Sequence, residues 1–219
     1  MQSRRVTIAG EPLEGIRHIC CFYDSREQRS DVFAPYLAEG LRDGEQVVCI
    51  FPRDEHDHVR GAVRACGADL AAAEKDDQFR ILTEDETYIT GNLFAKDRMA
   101  DMLRTLLEEA RRAKRPSVRT LGEMSWALRH LPGTDDLADY ECSVPALCHE
   151  YDCTLACAYD INQFHGRVVA DALATHSHIV LHGTVRKNPY YVEPAEFKRY
   201  VSLRSAGPGP VRADAGPPH

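Results

Sequence analysis

The sequence has no hydrophobic run long enough to cross a membrane, which takes roughly 18 consecutive apolar residues. Its first residues place Arg4 and Arg5 before Glu11 and Glu14, so they also lack the apolar centre of a secretory signal peptide. Positive charge is in deficit, with 27 Lys and Arg against 34 Asp and Glu and a formal net charge of -7. Because nucleic-acid surfaces depend on clustered Lys and Arg, we predict a cytoplasmic protein with no membrane contact and no direct nucleic-acid contact.

The motifs of several common enzyme classes are missing as well. Residues 23–30, which follow the first predicted strand, contain neither the glycines nor the lysine of a phosphate-binding loop. The patterns G-x-G-x-x-G, H-E-x-x-H and G-x-S-x-G do not occur. The sequence therefore predicts a protein that is not an enzyme, and we assign it no catalytic residue and no cofactor. A residual nucleotide-binding, ATPase-like protein stays open as an alternative, because the predicted fold is one that nucleotide-binding enzymes use.

What the chain does contain is a regular alternation of short apolar strands and amphipathic helices. Strands are predicted at residues 18–22, 46–51, 79–83, 118–122, 153–160 and 178–185. This alternation predicts the α/β class, a three-layer sandwich with a mainly parallel sheet of roughly six strands. With 219 residues, of which 43% are hydrophobic, one domain over residues 18–203 is the simplest division. A mobile lead-in is predicted at residues 1–17 and a disordered Pro/Gly-rich tail at residues 204–219.

Helix boundaries follow from capping residues and breakers. Ser30 or Asp31 is predicted to cap the first helix and Asp54 the second, because short polar side chains accept hydrogen bonds from free N–H groups at a helix start. The most regular helical spacing runs over residues 96–114. Pro145 falls inside a later predicted helix, and we expect it to kink or divide that helix because proline removes a backbone hydrogen bond.

Several polar and aromatic side chains are predicted to lie where strands end. Ligands of a parallel α/β sheet bind beyond the carboxyl ends of its strands. Glu123, Trp126 and Asp160 follow two of those ends, and Tyr23 and Tyr159 lie at the ends of two predicted strands. We predict a small, partly apolar ligand, with apolar walls from Tyr23, Trp126 and Tyr159. Glu123 and Asp160 would orient its polar atoms, although helix capping and core packing are equally good roles for these residue types.

Cysteine is frequent, with 8 residues in the chain. Cys142, Cys148, Cys153 and Cys157 run through a predicted helix, turn and strand, whereas structural zinc is usually gripped by a close knuckle. Free cysteine most often serves as a small core residue, and we assign no metal ligand. A cysteine-based redox sensor, or a zinc or iron-sulfur sensor, stays open as an alternative function.

A set of short motifs extends over most of the chain. They are His18-x-Cys20-x-x-Tyr23, Phe33-x-x-Tyr36-Leu37, Tyr140-Glu141, Cys157-x-Tyr159-Asp160, His176-x-x-Ile179-Val180 and Asn188-Pro189-Tyr190-Tyr191. Together they resemble the MEDS domain, the sensory domain named for methanogens, methylotrophs and a dichloromethane-responsive regulator. The resemblance covers residues from about 18 to about 201 and adds His18 and Asn188 to the candidate ligand-binding residues.

The resemblance implies a fold related to the RecA and KaiC ATPases that has lost the phosphate loop. It also implies a sensor of small molecules, hydrocarbon derivatives among them, that signals to attached DNA-binding or histidine-kinase-like domains. Because the sequence predicts no second domain here, we expect a separate regulatory partner, either histidine-kinase-like or a transcription regulator. Self-association into a homo-oligomer is the other route by which such a domain would signal.

Overall fold

The computed structural model describes residues 6–205, and for residues 202–205 it describes the backbone alone. The strands are β1 (Thr7–Ile8), β2 (Glu11–Pro12), β3 (His18–Tyr23), β4 (Gln46–Ile50), β5 (Phe79–Leu82), β6 (Ile89–Thr90), β7 (Leu93–Phe94), β8 (Val118–Glu123), β9 (Cys153–Asp160), β10 (His178–Leu181) and β11 (Thr184–Lys187). The helices are α1 (Arg26–Arg42), α2 (His56–Ala65), α3 (Leu70–Lys75), α4 (Lys96–Arg112), α5 (Leu137–Tyr151), α6 (Gly166–Thr175) and α7 (Pro194–Ser205).

A seven-stranded sheet forms the centre of the molecule, in the order β11-β10-β3-β9-β8-β4-β5. Every neighbouring pair in it is parallel except β10 with β11. The remaining strands form two small antiparallel ladders, β1 with β2 and β6 with β7. The predicted α/β class with a mainly parallel sheet is confirmed, and the sheet has one strand more than the sequence predicted.

Helices cover both faces of this sheet, so the molecule has three layers in the order helix, sheet, helix. Successive side chains of a strand point to opposite faces, so each central strand contributes to two separate cores. One core, the α1 face, joins the sheet to α1, α2 and α3. The other, the α5 face, joins it to α4, α5 and α6. Helix α7 packs on α5 through Phe197, which contacts Ala138 and Cys142.

The first two helices begin at points that the sequence did not indicate. Helix α1 starts at Arg26, where Ser25 Oγ accepts a hydrogen bond from Gln28 N at 3.2 Å. The cap therefore comes straight after β3 rather than at Ser30 or Asp31. Asp54 lies inside a turn of 3-10 helix, Arg53–Glu55, that leads into α2 without a side-chain cap.

Two segments differ from the prediction because tertiary packing overrides local preference. Helix α5 continues through Pro145, with Val144, Leu147 and Cys148 buried beside the break that proline was expected to cause. Residues 178–185 were predicted as one strand but form the hairpin β10-β11. Its turn residues, His182 and Gly183, have φ angles of 50° and 69°, the left-handed values that tight hairpins use.

The described residues ahead of β3, residues 6–17, pack against the rest of the fold. Within the predicted lead-in, β1 and β2 form a ladder, and Val6, Ile8 and Leu13 are buried in the α1 face. Residues 1–5 and 206–219 lie outside the described residues, and the helix α7 extends two residues into the predicted tail. Among the described helices, none combines the length and the apolar character that a bilayer crossing requires.

Candidate functional site

The carboxyl ends of β3 and β8 bring two of the predicted residues into direct contact. The Tyr23 hydroxyl donates a hydrogen bond to Glu123 Oε1 at 2.9 Å, and the Ser125 amide donates to Glu123 Oε2 at 3.0 Å. Both side chains are buried, and burial raises the pKa of the Glu123 carboxyl and of the Tyr23 hydroxyl. Strands β3 and β8 both pair with β9 in parallel, so their carboxyl ends lie at the same edge of the sheet.

A polar crevice of about 260 Å³ lies beside this pair. Its walls include Arg26 and Arg29, both paired with Glu55. Asp160 lines it too, but its carboxylate is engaged locally, accepting from the Asn162 amide at 2.9 Å. The crevice therefore contains ion pairs and a capped turn, and the acidic side chains near it oppose phosphate binding.

An apolar cavity of about 220 Å³ lies on the α5 face, between α5 and α6. The 3-10 segments Ser125–Arg129 and Thr134–Asp136 close two of its sides. Its apolar lining residues are Ala127, Leu128, Leu137, Ala138, Val168 and Ala172. Three buried polar side chains, Tyr159, Glu141 and Thr175, reach it from the sheet, from α5 and from α6, and the lining also includes the charged residues Asp135, Arg167 and Asp171. A mostly apolar space with a few convergent polar groups is typical of a small-molecule site.

Behind Glu141 lies a compact group of buried side chains, the donor cluster, which comprises His18, Glu141, Cys157 and His176. Their nearest ligand-type atoms all lie within 4.8 Å of one another. His18 Nε2 is 3.0 Å from Glu141 Oε2 and 3.5 Å from Cys157 Sγ. His176 Nε2 is 3.6 Å from Glu141 Oε2, and Cys157 Sγ is 3.8 Å from the same carboxylate.

Four different elements bring the donor cluster together. His18 and Cys157 lie on the neighbouring strands β3 and β9, on the α5 face, because the register aligns Cys20 with Cys157 and side chains two residues apart share a face. Glu141 projects from α5, and His176 follows the end of α6. The cluster therefore fixes both helices that line the apolar cavity against the same two strands.

Burial disfavours the charged forms of all four side chains in the donor cluster. It lowers the pKa of His18 and of His176 to about 3, so both rings are neutral at physiological pH. Burial also raises the pKa of the Glu141 carboxyl and raises that of the Cys157 thiol well above its ordinary value. Among the described residues, His18 Nδ1 and His176 Nε2 are buried nitrogens without a hydrogen-bond partner.

The remaining predicted residues occupy structural positions. Trp126 is 3% exposed and stacks on Tyr88 and Phe94, at ring distances of 4.7 and 4.9 Å, so it belongs to the core rather than to an open wall. Asn188 is buried, and its Nδ2 donates to the carbonyls of Leu173 at 2.6 Å and His176 at 2.7 Å. Asn188 thus supports the turn that carries His176.

The cysteine stretch does not form one centre. Cys142 contacts Phe197, Cys148 lies beside Cys153, and only Cys157 joins the donor cluster. Sequence reasoning did not assign Glu141 and His176 to the site, although both lie within the motifs that carry the MEDS resemblance. Glu141 lies on α5 and His176 just after α6, 35 residues apart in the chain, so no short spacing pattern linked them.

Comparison with known proteins agrees with that resemblance. The family model described as "MEDS: MEthanogen/methylotroph, DcmR Sensory domain" matches residues 17–177. The transcriptional repressor DcmR of Methylorubrum extorquens (strain DSM 6343 / CIP 106787 / DM4) is 26% identical over 175 residues, which cover 78% of this chain and 62% of the repressor. A KaiC-like protein from Pyrococcus horikoshii OT3 superimposes with a TM-score of 0.49 and 16% identity, over 78% of this chain and 73% of that chain.

Proposed function

Because this chain belongs to the MEDS family of sensory domains, we propose that it binds a small, partly apolar molecule in the cavity between α5 and α6. The cavity itself carries the proposal. Its volume of about 220 Å³ suits a molecule of few heavy atoms, and its lining is mainly apolar. Tyr159 and Glu141 supply a hydroxyl and a carboxyl group that can orient one polar end of such a ligand.

The rim of the cavity suggests how a ligand enters. His130 and His165 are exposed at this rim, with ring centres 5.8 Å apart. They belong to the 3-10 segment after β8 and to the turn before α6, two short connections rather than core elements. The two rings meet edge to face, so a ligand that entered here would have to part them on its way to Tyr159.

The helices that line the cavity, α5 and α6, would transmit the signal of ligand binding. A ligand changes the balance between two conformations only by its difference in affinity for them, and α5 and α6 provide walls whose spacing it can select. Helix α7 contacts α5 through Phe197, so a change in spacing reaches the surface there. We propose that the receiver is a separate regulatory protein and, since one relative is a transcriptional repressor, that the output is control of transcription rather than catalysis.

The test is a thermal-shift and calorimetry screen of small alcohols, amides, ketones and halogenated hydrocarbons, with ATP in the same panel. A ligand at 100 times its Kd should add about 2.7 kcal/mol to the free energy of unfolding. Val168 lines the cavity, whereas its neighbour Val169 is equally half-buried outside the cavity lining. We expect Val168→Phe to abolish ligand binding and Val169→Phe, the matched control, to retain it.

Two results would contradict this function. One is a ligand that binds Val168→Phe as tightly as the unaltered chain, provided that circular dichroism shows both variants to be folded. The other is stabilisation and turnover of ATP, which would favour the residual nucleotide enzyme. If both variants lose binding, Leu128→Phe decides the question, because Leu128 lines the same cavity from the 3-10 segment Ser125–Arg129.

A further inference from the structure

The donor cluster has approximately the dimensions of a tetrahedral metal site. Zinc binds nitrogen and oxygen at about 2.0 Å and thiolate sulfur at about 2.3 Å, so neighbouring ligands lie about 3.3 to 3.8 Å apart. Here His18 Nε2 lies 3.0 Å from Glu141 Oε2 and 3.5 Å from Cys157 Sγ, while His176 Nε2 lies 3.6 Å and Cys157 Sγ 3.8 Å from the Glu141 carboxylate. All four ligand atoms lie within 4.8 Å of one another, so small movements of these side chains would bring them to ligand distance from a central cation.

The tautomer of His176 is already the one that metal binding requires. Its Nδ1 lies 2.8 Å from the carbonyl oxygen of Ala172. Because a carbonyl can only accept, Nδ1 carries the proton and Nε2 presents a lone pair. That Nε2 is buried, faces Glu141 at 3.6 Å and has no hydrogen-bond partner among the described residues. A backbone acceptor behind a ligating histidine is the usual support of a protein metal site.

We propose that His18, Glu141, Cys157 and His176 bind one divalent transition-metal ion, with zinc as the first candidate. Two imidazoles, one thiolate and one carboxylate form a mixed nitrogen, sulfur and oxygen set that suits zinc and disfavours magnesium and calcium, which prefer oxygen alone. On binding, the metal displaces the proton of the Cys157 thiol and any proton held by the Glu141 carboxyl, both of which pass to solvent, and the resulting carboxylate and thiolate together balance the charge of the ion. This site differs from the cysteine-only arrangement considered from the sequence.

The site would also connect metal occupancy to the cavity. Glu141 belongs to both, and His176 is the residue that follows α6. A bound ion would hold α5 and the end of α6 to β3 and β9, and so set the width of the cavity. This connection rests on the proposed function, whereas the metal site itself does not.

Metal content and coordination test the site directly. Protein produced with added zinc and passed through a desalting column should retain about one zinc per chain by elemental mass spectrometry. X-ray absorption should show one sulfur and three nitrogen or oxygen neighbours. Retention of no metal, or a coordination shell with two or more sulfurs, would overturn the assignment. Neither measurement uses a small-molecule ligand, so failure of the site is distinguishable from failure of the sensory proposal.

Cobalt substitution allows the proposed metal site to be tested with variants. Cobalt-substituted protein should show a thiolate charge-transfer band, which Cys157→Ser should remove. Cys49→Ser is the matched control, since Cys49 is an equally buried thiol on β4, outside the donor cluster. A band that persists in Cys157→Ser, or that disappears in Cys49→Ser, contradicts the site. If Cys157→Ser fails to fold, the number of sulfur neighbours in the unaltered chain decides the question.

Discussion

Two buried polar groups, one on each face of the sheet, neutralise their carboxylates in different ways. On the α1 face the chain supplies its own cation: Arg119 Nε donates to Glu45 at 2.6 Å, and Arg119 Nη1 donates to Glu39 at 2.7 Å. On the α5 face Glu141 has two neutral histidines and a thiol around it, and the described residues there include no Lys or Arg partner for it. The first group contains its own cation, although Arg119 Nη2 is a buried nitrogen without a hydrogen-bond partner among the described residues, while the second group has metal-ligand atoms and no cationic side chain paired with Glu141.

This difference separates a structural network from a candidate site. Arg119 also donates to the carbonyl oxygen of Tyr36 at 2.6 Å and lies 4.8 Å from the centre of that ring, so it is held from several sides. Gly40 permits this approach, because a Cβ at that position would lie 2.8 Å from Arg119 Nε. A buried charge with such partners stabilises one arrangement of the chain. The donor cluster, in contrast, is expected to gain stability when it binds a metal ion.

The largest expected effect comes from removing the built-in cation. Arg119→Met leaves Glu45 and Glu39 without their buried partner, and we expect it to lower the free energy of unfolding by about 3 to 5 kcal/mol. Urea denaturation measures this loss. Arg104→Met is the control, since Arg104 forms an exposed pair with Asp101 at 3.0 Å that should contribute less than about 1 kcal/mol. Equal losses in the two variants would remove the distinction between the networks.

The second largest effect is expected when zinc binds to the donor cluster. Zinc at 100 times its Kd should raise the free energy of unfolding by about 2.7 kcal/mol, less any affinity of the unfolded chain. Denaturation with and without zinc measures the gain, which His176→Gln should reduce to near zero. His178→Gln, which alters a half-buried histidine two residues away and outside the donor cluster, should keep it. An unchanged gain in His176→Gln would mean that zinc binds elsewhere.

A smaller effect is the pH dependence of the stability that Glu39 contributes on the α1 face. Burial alone would raise the pKa of Glu39, but hydrogen bonds from Thr7 and from Arg119 outweigh it and hold the pKa below the ordinary value of 4.5. The unfolded chain therefore binds more protons, so this stabilisation is present above about pH 4.5 and is lost as the pH falls through the lower folded value. Glu39→Gln should remove a contribution on the order of 1 kcal/mol.

Denaturation at pH 7 and at pH 3.5 measures the Glu39 contribution. The gap between the variant and the unaltered chain should be wide at the higher pH and narrow at the lower one. Glu108→Gln, which alters an exposed carboxylate 3.2 Å from Arg112, supplies the control. A gap of constant width would show that folding does not lower the pKa of Glu39.

The smallest expected effect is at Glu141 in metal-free protein. Because burial raises its pKa, the neutral isostere in Glu141→Gln should lower the free energy of unfolding by less than about 1 kcal/mol. Glu45→Gln, its counterpart on the α1 face, removes the more buried of the two carboxylates that pair with Arg119 and should cost several times more. Chemical denaturation in the presence of a chelator compares the two variants. A larger loss at Glu141 would reverse the contrast between the two groups.

Local sequence pattern determined the main elements of this protein. The apolar runs at β3, β4 and β9 and the helical spacing of α4 predicted those elements to within a few residues, because burial on one or two faces leaves a periodic trace in the sequence. The same pattern predicted that Tyr23 and Glu123 lie at the carboxyl ends of strands, at one edge of the sheet. In the structure, the Tyr23 hydroxyl oxygen is 2.9 Å from Glu123 Oε1.

Only the tertiary structure decided which side chains meet across layers. Trp126 lies in the core and α5 runs through Pro145, because packing against neighbouring elements outweighs the preferences of single residues. His18 and Cys157 share a face by strand register, yet Glu141 and His176 reach them from two helices. Periodicity tells which face of a helix is buried, but the partner of that face depends on the order of strands in the sheet, which local sequence does not record.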